Sequence, residues 1–391
     1  MSVSLLIASS DDQVRDAIRD NVLNLSGARV VGEYPDVGPN LYIRVLQDLD
    51  RNPEAALIVD LGGDREAALK ALEKTKKAAP GLYVIATDFS TEGDLVIASL
   101  RAGANDFLGQ PLKRVEFREA ISRLEDTPRQ IGPVTSRLGK IYTFLGCKGG
   151  VGTTTMAVNF AAVLAQRKAN VVLIDLDWNA NDCCMQIGAA PEYTLQEVGE
   201  NLDRMDRSLF EGFIARDPVG FYVVGPPDSL EQRPYFTEPM LREFLTFLVE
   251  HYDAVVIDAG RSMSDEVVLA ALQSSSSIYL TLDQRFPSVR NAQRYMGALT
   301  RLGFHQDQLR IVVNQYMKKP SSQLATLEQI QGTMNQPVFY GIPSSPAVLQ
   351  MINKGRPFVT DRQLAADIDR PFRSFVDKAT GVKKDAEAKA S

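Results

Sequence analysis

Residues 147–155 are Cys147-Lys148-Gly149-Gly150-Val151-Gly152-Thr153-Thr154-Thr155. An apolar, strand-like run at 141–145 precedes it and a helix-like run at 156–166 follows. Strand, glycine-rich turn and helix in that order form the setting in which a loop cradles phosphate. The glycines let backbone N–H groups converge on the anion, and the helix N-terminus adds a favourable dipole. The general pattern puts a lysine directly after the last glycine, and here that position is Thr153. The lysine of this stretch is Lys148, near the start of the loop. The loop therefore reads as built to hold a nucleotide and poorly equipped to hydrolyse it.

Outward from the loop, Val171-Val172-Leu173-Ile174 runs into Asp175, with Asp177, Trp178 and Asn179 close behind. A buried strand ending in carboxylates delivers them to the carboxyl edge of a parallel sheet, beside the phosphate loop. Strand-like runs recur through this part of the chain at 141–145, 171–175, 221–224, 254–258, 277–281, 310–313 and 338–342. The front of the chain alternates in the same way. Its strand-like runs are 5–8, 29–32, 56–61, 83–87 and 106–108, with helical periodicity at 12–25, 41–48, 65–78, 91–102 and 115–124. Alternation of this kind predicts two doubly wound α/β domains with parallel sheets covered on both faces. Residues 1–125 form the first and 139–376 the second, joined by a linker at 126–138 that carries Pro128, Gly132 and Pro133. The small, charged stretch 377–391 is expected to be disordered, and Pro371 to interrupt any amphipathic helix before it.

A chain of 391 residues, 45% hydrophobic and 24% charged, has ample core for two or three domains. A net charge of -6 argues against general coating of nucleic acid. The first residues lack a basic segment, and no apolar run approaches the roughly 20 residues that span a bilayer, so a cytoplasmic protein is expected. Cys147, Cys183 and Cys184 lack disulfide or zinc spacing and read as buried thiols. Two histidines leave little room for a histidine triad or metal centre. Arg290, Arg294 and Arg301 recur at helical spacing. That stripe fits a solvated helix face, or a surface for DNA or an acidic partner.

The segment from Lys148 to Gly152, followed by Thr154 and Thr155, resembles the MinD/ParA group of P-loop ATPases, which carry a lysine early in the loop. The resemblance implies ATP and Mg²⁺ as cofactors, with Lys148, Gly149, Gly150, Val151, Gly152, Thr153, Thr154 and Thr155 around the phosphates. It implies that Lys148 reaches across a homodimer interface to the partner's phosphates and that Thr154 ligates Mg²⁺. Asp177 would orient the attacking water, and Asp175 would support the metal shell. The run Asp253-Ala254-Val255-Val256-Ile257-Asp258 resembles the Walker B strand, with Asp258 as the metal-side acid; Ala259-Gly260-Arg261 replaces the usual prolines. Asn314 aligns with an adenine contact, and the segments 342–348, with Pro343, and 353–357 resemble the loop over the base. Turnover is expected to be weak at most, an ordinary slow ATPase working through Lys148 being the rival reading.

Residues up to about 125 resemble a response-regulator receiver, with Asp60 at the phosphoacceptor position and Thr87 at the switch hydroxyl. Gln110 stands where that family has lysine, and Ser9 and Ser10 precede Asp11 and Asp12 at the end of the first strand. Aspartyl phosphorylation needs several carboxylates around Mg²⁺ and a lysine on the phosphoryl oxygens. A docking or dimerisation domain is therefore expected, with a working phosphoacceptor as the alternative. The two domains together resemble the CpaE/TadZ proteins of Flp-type (Tad) pilus assembly. That resemblance implies a dimerising, ATP-binding scaffold that recruits the pilus secretion motor ATPase and inner-membrane platform proteins, with membrane contact only through partners. The alternative is a ParA/MinD-like ATPase that cycles to position DNA or cargo. A capsule-type tyrosine kinase would need a tyrosine cluster in the tail, and an iron-sulfur relative other cysteine positions.

Overall fold

The structure is a computed structural model that describes residues 3–38, 40–127, 138–189, 193–227, 235–304 and 306–382. The chain divides into two compact units, Met1–Leu138 and Gly139–Ser391. Residues 128–137 of the expected linker, and the expected tail from 383 onward, lie outside the described residues.

In the front unit the apolar runs become β1 (Val3–Ala8), β2 (Ala28–Tyr34), β3 (Ala56–Asp60), β4 (Val84–Asp88) and β5 (Asp106–Gly109). The helices between them are α1 (Asp12–Leu23), α2 (Leu41–Arg51), α3 (Arg65–Ala78), α4 (Gly93–Arg101) and α5 (Arg114–Asp126). Asp11 starts α1 by accepting from the Gln13 N–H, and Val14, Ile18 and Val22 bury one face of the helix. The strands lie in the order β2-β1-β3-β4-β5 and are parallel throughout, a flavodoxin-type arrangement. Its functional edge is where β1, β3 and β4 end, which brings Ser9, Asp60 and Thr87 to one side of the sheet.

The second unit begins with β6 (Lys140–Gly146), α6 (Thr153–Gln166), β7 (Val171–Asp175), α7 (Asp182–Gln186), α8 (Leu195–Glu200) and α9 (Arg207–Phe213). It continues with β8 (Ala215–Arg216), β9 (Tyr222–Val224), α10 (Glu238–His251), β10 (Ala254–Asp258), α11 (Glu266–Ser274), β11 (Ser277–Leu282) and α12 (Phe286–Arg301). It closes with β12 (Leu309–Tyr316), α13 (Leu327–Met334), β13 (Val338–Pro343), α14 (Pro346–Asn353) and α15 (Ala366–Thr380). The sheet order is β13-β12-β11-β6-β10-β7-β9-β8. The chain leaves β6 toward β7 on one side and later returns through β10 to β11 on the other. The loop after β6 therefore sits at the switch point, where α/β sheets open a crevice.

Two expectations fail. The chain carries α15 straight through Pro371 as far as Thr380, so the break at Pro371 is not found and residues 377–380, expected in a disordered tail, are helical. Proline forfeits one backbone hydrogen bond, but Ile368, Phe372, Phe375 and Val376 are buried on one face, and that packing outweighs the loss. Asp377 meets Arg167 at 2.5 Å, which holds the last turn. The short strand β8 was also not expected; it runs antiparallel to β9 and covers the sheet edge there. Phe375 packs its ring against Phe144, Phe160, Tyr279, Phe339, Tyr340 and Phe372. Phe375→Ala should therefore cost about 3–5 kcal/mol of stability, to be read from the urea midpoint of the second unit's transition. A shift below about 1 kcal/mol would mean that α15 packs loosely.

Candidate functional site

The loop between β6 and α6 turns on two glycines with positive φ, Gly150 at 78° and Gly152 at 87°. Both lie where a Cβ is disfavoured, and Gly152 is the residue from which α6 starts. The loop is tied from β12: Asn314 Nδ2 donates to the Val151 carbonyl at 2.8 Å and Gln315 Nε2 to the Gly150 carbonyl at 3.1 Å. Cys147 is buried with its Sγ against Ser288, and burial pushes its thiol up to about 11. It anchors the start of the loop and is not a reactive thiol. Thr153 is buried in the first turn of α6, its hydroxyl packed against Gly146.

A cleft of about 630 Å³ opens over this loop, a size that suits a nucleotide. Lys148, Gly149, Gly150, Gly152, Thr153, Thr154 and Thr155 line its floor, Asp177 and Arg261 one wall, and Asn314 and Pro343 the side toward β12 and β13. Val151 does not line it. Its side chain is 1% exposed, because the loop turns that residue into the core, so its expected place around the phosphates is limited to its backbone.

Below the floor lies an acidic pair. The register of β10 on β7 sets Asp258 beside Asp175, and both are fully buried. Each Asp175 oxygen accepts a backbone N–H, from Asp177 at 2.9 Å and from Cys183 at 3.0 Å. Asp258 accepts from the Gly260 N–H at 3.0 Å and from the Thr154 hydroxyl. Burial raises both carboxyl groups well above the usual range; the charge of Asp258 raises Asp175 further, while the bonds from Thr154 and Gly260 partly offset the rise at Asp258. Among the described residues, Asp175, Cys183 and Asp258 are the group of acidic and thiol side chains that could hold a metal ion. The Cys183 thiol is held far from ionisation by burial and by the two carboxylates, which leaves oxygen as the donor type of this site. Hard oxygens suit Mg²⁺. The structure thus brings Thr154 and Asp258 together, with Asp175 one step behind them.

Several lining residues were not singled out by the sequence. Gln315, at a φ of 52°, braces the loop, and the lining residues Ile352, Phe358 and Ile368 come from far along the chain. No local pattern marks them, since long-range folding alone puts them there. Trp178 follows Asp177, donates its Nε1–H to Asp265 at 3.0 Å and packs near Phe236, so it is half-buried and tied to the start of α11. Arg290, Arg294 and Arg301 are exposed on α12.

In the front unit, Asp60 is buried and already satisfied. It accepts from Ser9 Oγ at 2.6 Å, from Gln110 Nε2 at 3.0 Å and from the Gly62 N–H at 3.0 Å. Asp11 caps α1 and Asp12 pairs with Arg15, so the acidic pair after β1 serves the helix rather than Asp60. Among the described residues no acidic cluster able to hold a metal forms around Asp60.

Comparison with known proteins matches residues 142–358 to the CobQ/CobB/MinD/ParA nucleotide binding domain. The septum site-determining protein MinD of Thermotoga maritima is 21% identical over 226 residues, which is 56% of this chain and 81% of that protein. A ParA family ATPase from Chlorobium tepidum superposes with a TM-score of 0.55 at 20% identity, covering 63% of this chain and 99% of that one. MinD of Pyrococcus horikoshii, in complex with Mg-ADP, superposes with a TM-score of 0.50 at 18% identity, covering 63% and 97%.

Proposed function

This chain belongs to the CobQ/CobB/MinD/ParA nucleotide-binding family, and from that premise we propose that it is an ATP-dependent dimerising scaffold that turns ATP over slowly or not at all. The observation that carries the reading is Thr153, whose short, uncharged side chain stands at the head of α6 over an otherwise complete phosphate loop. Phosphoryl transfer depends on positioning and on charge supplied to the transferring group. A threonine supplies neither a cation nor the reach of a lysine. Mg²⁺ would be held by Thr154 and Asp258, with Asp175 orienting that shell from behind, and Asp177, which lines the cleft, would orient an attacking water. The bound metal would offset charge on the polyphosphate. Asn314 and Pro343 face the side of the cleft where the base would lie. Lys148, at the cleft, would reach the phosphates of a second copy, so that ATP bound by both protomers favours the dimer by linkage.

The fold relatives include a protein seen with Mg-ADP, which supports the cofactor assignment. The resemblance to CpaE/TadZ supplies the setting: a scaffold for Flp-type pilus assembly that gathers the secretion motor ATPase and inner-membrane platform proteins. No described helix is long and apolar enough to cross a membrane, and a peripheral place held through partners fits this reading. Light scattering with and without Mg-ATP, with phosphate release followed on the same sample, tests it. An ATP-dependent doubling of mass with little phosphate released is the expected result. Brisk turnover would instead favour a cycling ATPase, for which the exposed arginines of α12 would offer a surface for DNA or cargo.

For the front unit, the three hydrogen bonds that Asp60 accepts support a docking or dimerisation role without phosphoryl transfer. Ser9 and Gln110 occupy the carboxylate that a phosphoryl group would need. Incubation with a small-molecule phosphodonor and Mg²⁺ should leave the intact mass unchanged. A gain of one phosphoryl group lost in Asp60→Asn would restore the response-regulator reading.

A further inference from the structure

A phosphate loop without its lysine leaves open which cation meets the polyphosphate inside a single protomer. We propose that Arg261 does, an assignment that rests on the nucleotide reading of the cleft. Three observations carry it. First, Arg261 lines the same cleft as the loop, and its guanidinium lies over Gly149: a Cβ at that glycine would stand 3.1 Å from Nη1. Second, its backbone is fixed. The Phe144 carbonyl accepts from the Ala259 N–H at 2.9 Å, and the Gly260 carbonyl accepts from the Gly146 N–H at 2.8 Å. The Arg261 carbonyl accepts from the Tyr295 hydroxyl at 2.5 Å. Third, the guanidinium has no carboxylate partner among the described residues, so its charge is available.

The turn that delivers Arg261 also touches Asp177. Gly260 has a φ of 54°, and a Cβ there would stand 2.9 Å from Asp177 Oδ2. That close approach needs glycine, and it sets Arg261 beside Asp177 on the same wall of the cleft. An arginine suits phosphate because its planar fork donates two parallel N–H bonds to oxygen. It enters from the exit of β10, three residues after Asp258. Arg261 thus supplies affinity within one protomer, while the position that normally serves phosphoryl transfer stays uncharged.

The test is calorimetric titration of Mg-ATP into the full chain and into Arg261→Gln, Arg261→Lys and the double variant Arg261→Gln/Thr153→Lys. Arg261→Gln should weaken binding roughly ten- to hundred-fold, the loss expected for a hydrogen-bonded charge on phosphate. Arg261→Lys should recover part of that, and Thr153→Lys in the Gln background should recover most of it. Thermal melts of the same samples should coincide, since Arg261 is exposed. Unchanged affinity in Arg261→Gln overturns the assignment while leaving the nucleotide site standing. A loss that neither lysine rescues shows a structural role and overturns it too. No binding by the unaltered chain overturns the nucleotide reading itself, and this assignment with it.

Discussion

Lys148→Ala should leave the chain monomeric at Mg-ATP concentrations that dimerise the parent. Lys148 lines the cleft on a loop whose backbone is held by Asn314, Gln315 and the buried Cys147, so its truncation removes a charge without loosening the loop. A hydrogen bond between a charged donor and phosphate contributes about 1.5–3 kcal/mol. Two-fold symmetry counts the contact twice, so the dimer should lose about 3–6 kcal/mol, or a factor of roughly 10²–10⁴ in its association constant. Light scattering over a concentration series reads this directly. A variant that dimerises with Mg-ATP as the parent does would remove Lys148 from the interface and, with it, the clamp. Nucleotide affinity of the monomer should change far less, because Arg261 is proposed to supply the charge within the protomer.

The second large effect concerns the acidic pair, where stability and function are expected to move in opposite directions. Asp258→Asn should raise the stability of the metal-free chain by on the order of 1–3 kcal/mol while abolishing the Mg-dependent response to ATP. Asp175 and Asp258 are buried side by side, and burial raises both carboxyl groups above their ordinary range. The folded chain therefore binds protons that the unfolded chain has released. The pair's contribution to stability is largest in acid, below the unfolded carboxylate range, and is lost as pH rises from that range through about 6 to about 8. Asparagine removes one charge of the pair and should flatten that slope. The amide can still accept from Gly260 and Thr154, but it offers Mg²⁺ a neutral ligand. Urea unfolding at several pH values, with EDTA and then with Mg-ATP, checks both halves. A variant that is less stable than the parent at neutral pH without metal would contradict the repulsion between the two carboxylates.

How much of this was legible in the sequence differs by element. Both sheets were, because parallel strands buried on two faces leave continuous apolar runs, and β7 and β10 begin and end where those runs do. The phosphate loop was legible because glycine and threonine are called for by backbone geometry rather than by distant contacts. The path of α15 was not. Pro371 is a strong local signal against a helix, and the signal that overrides it is the aromatic surface of β6, α6, β11 and β13, more than a hundred residues away for the first two. The strand β8 is two residues long and has no periodicity to read. In the site, Asp258 and Thr154 were nameable from position. The bracing of the loop by Gln315 and the place of Arg261 over Gly149 depend on how separate strands end in space, which no window of sequence contains.

The aromatic cluster has a bearing on synthesis. Phe144 and Phe160 flank the phosphate loop near the middle of the chain, yet Phe375 packs on them only after more than two hundred further residues have been made. A nascent chain emerging from the ribosome therefore carries β6 and α6 with their apolar faces uncovered through most of its translation, the phase in which exposed surface invites misassociation. The front unit draws its core cluster from residues 3–124 alone, so that core has no such delay and can close before β6 is made. Translation would thus yield a finished first body that tethers and dilutes an unfinished second one, with the nucleotide cleft maturing among the last features of the polypeptide.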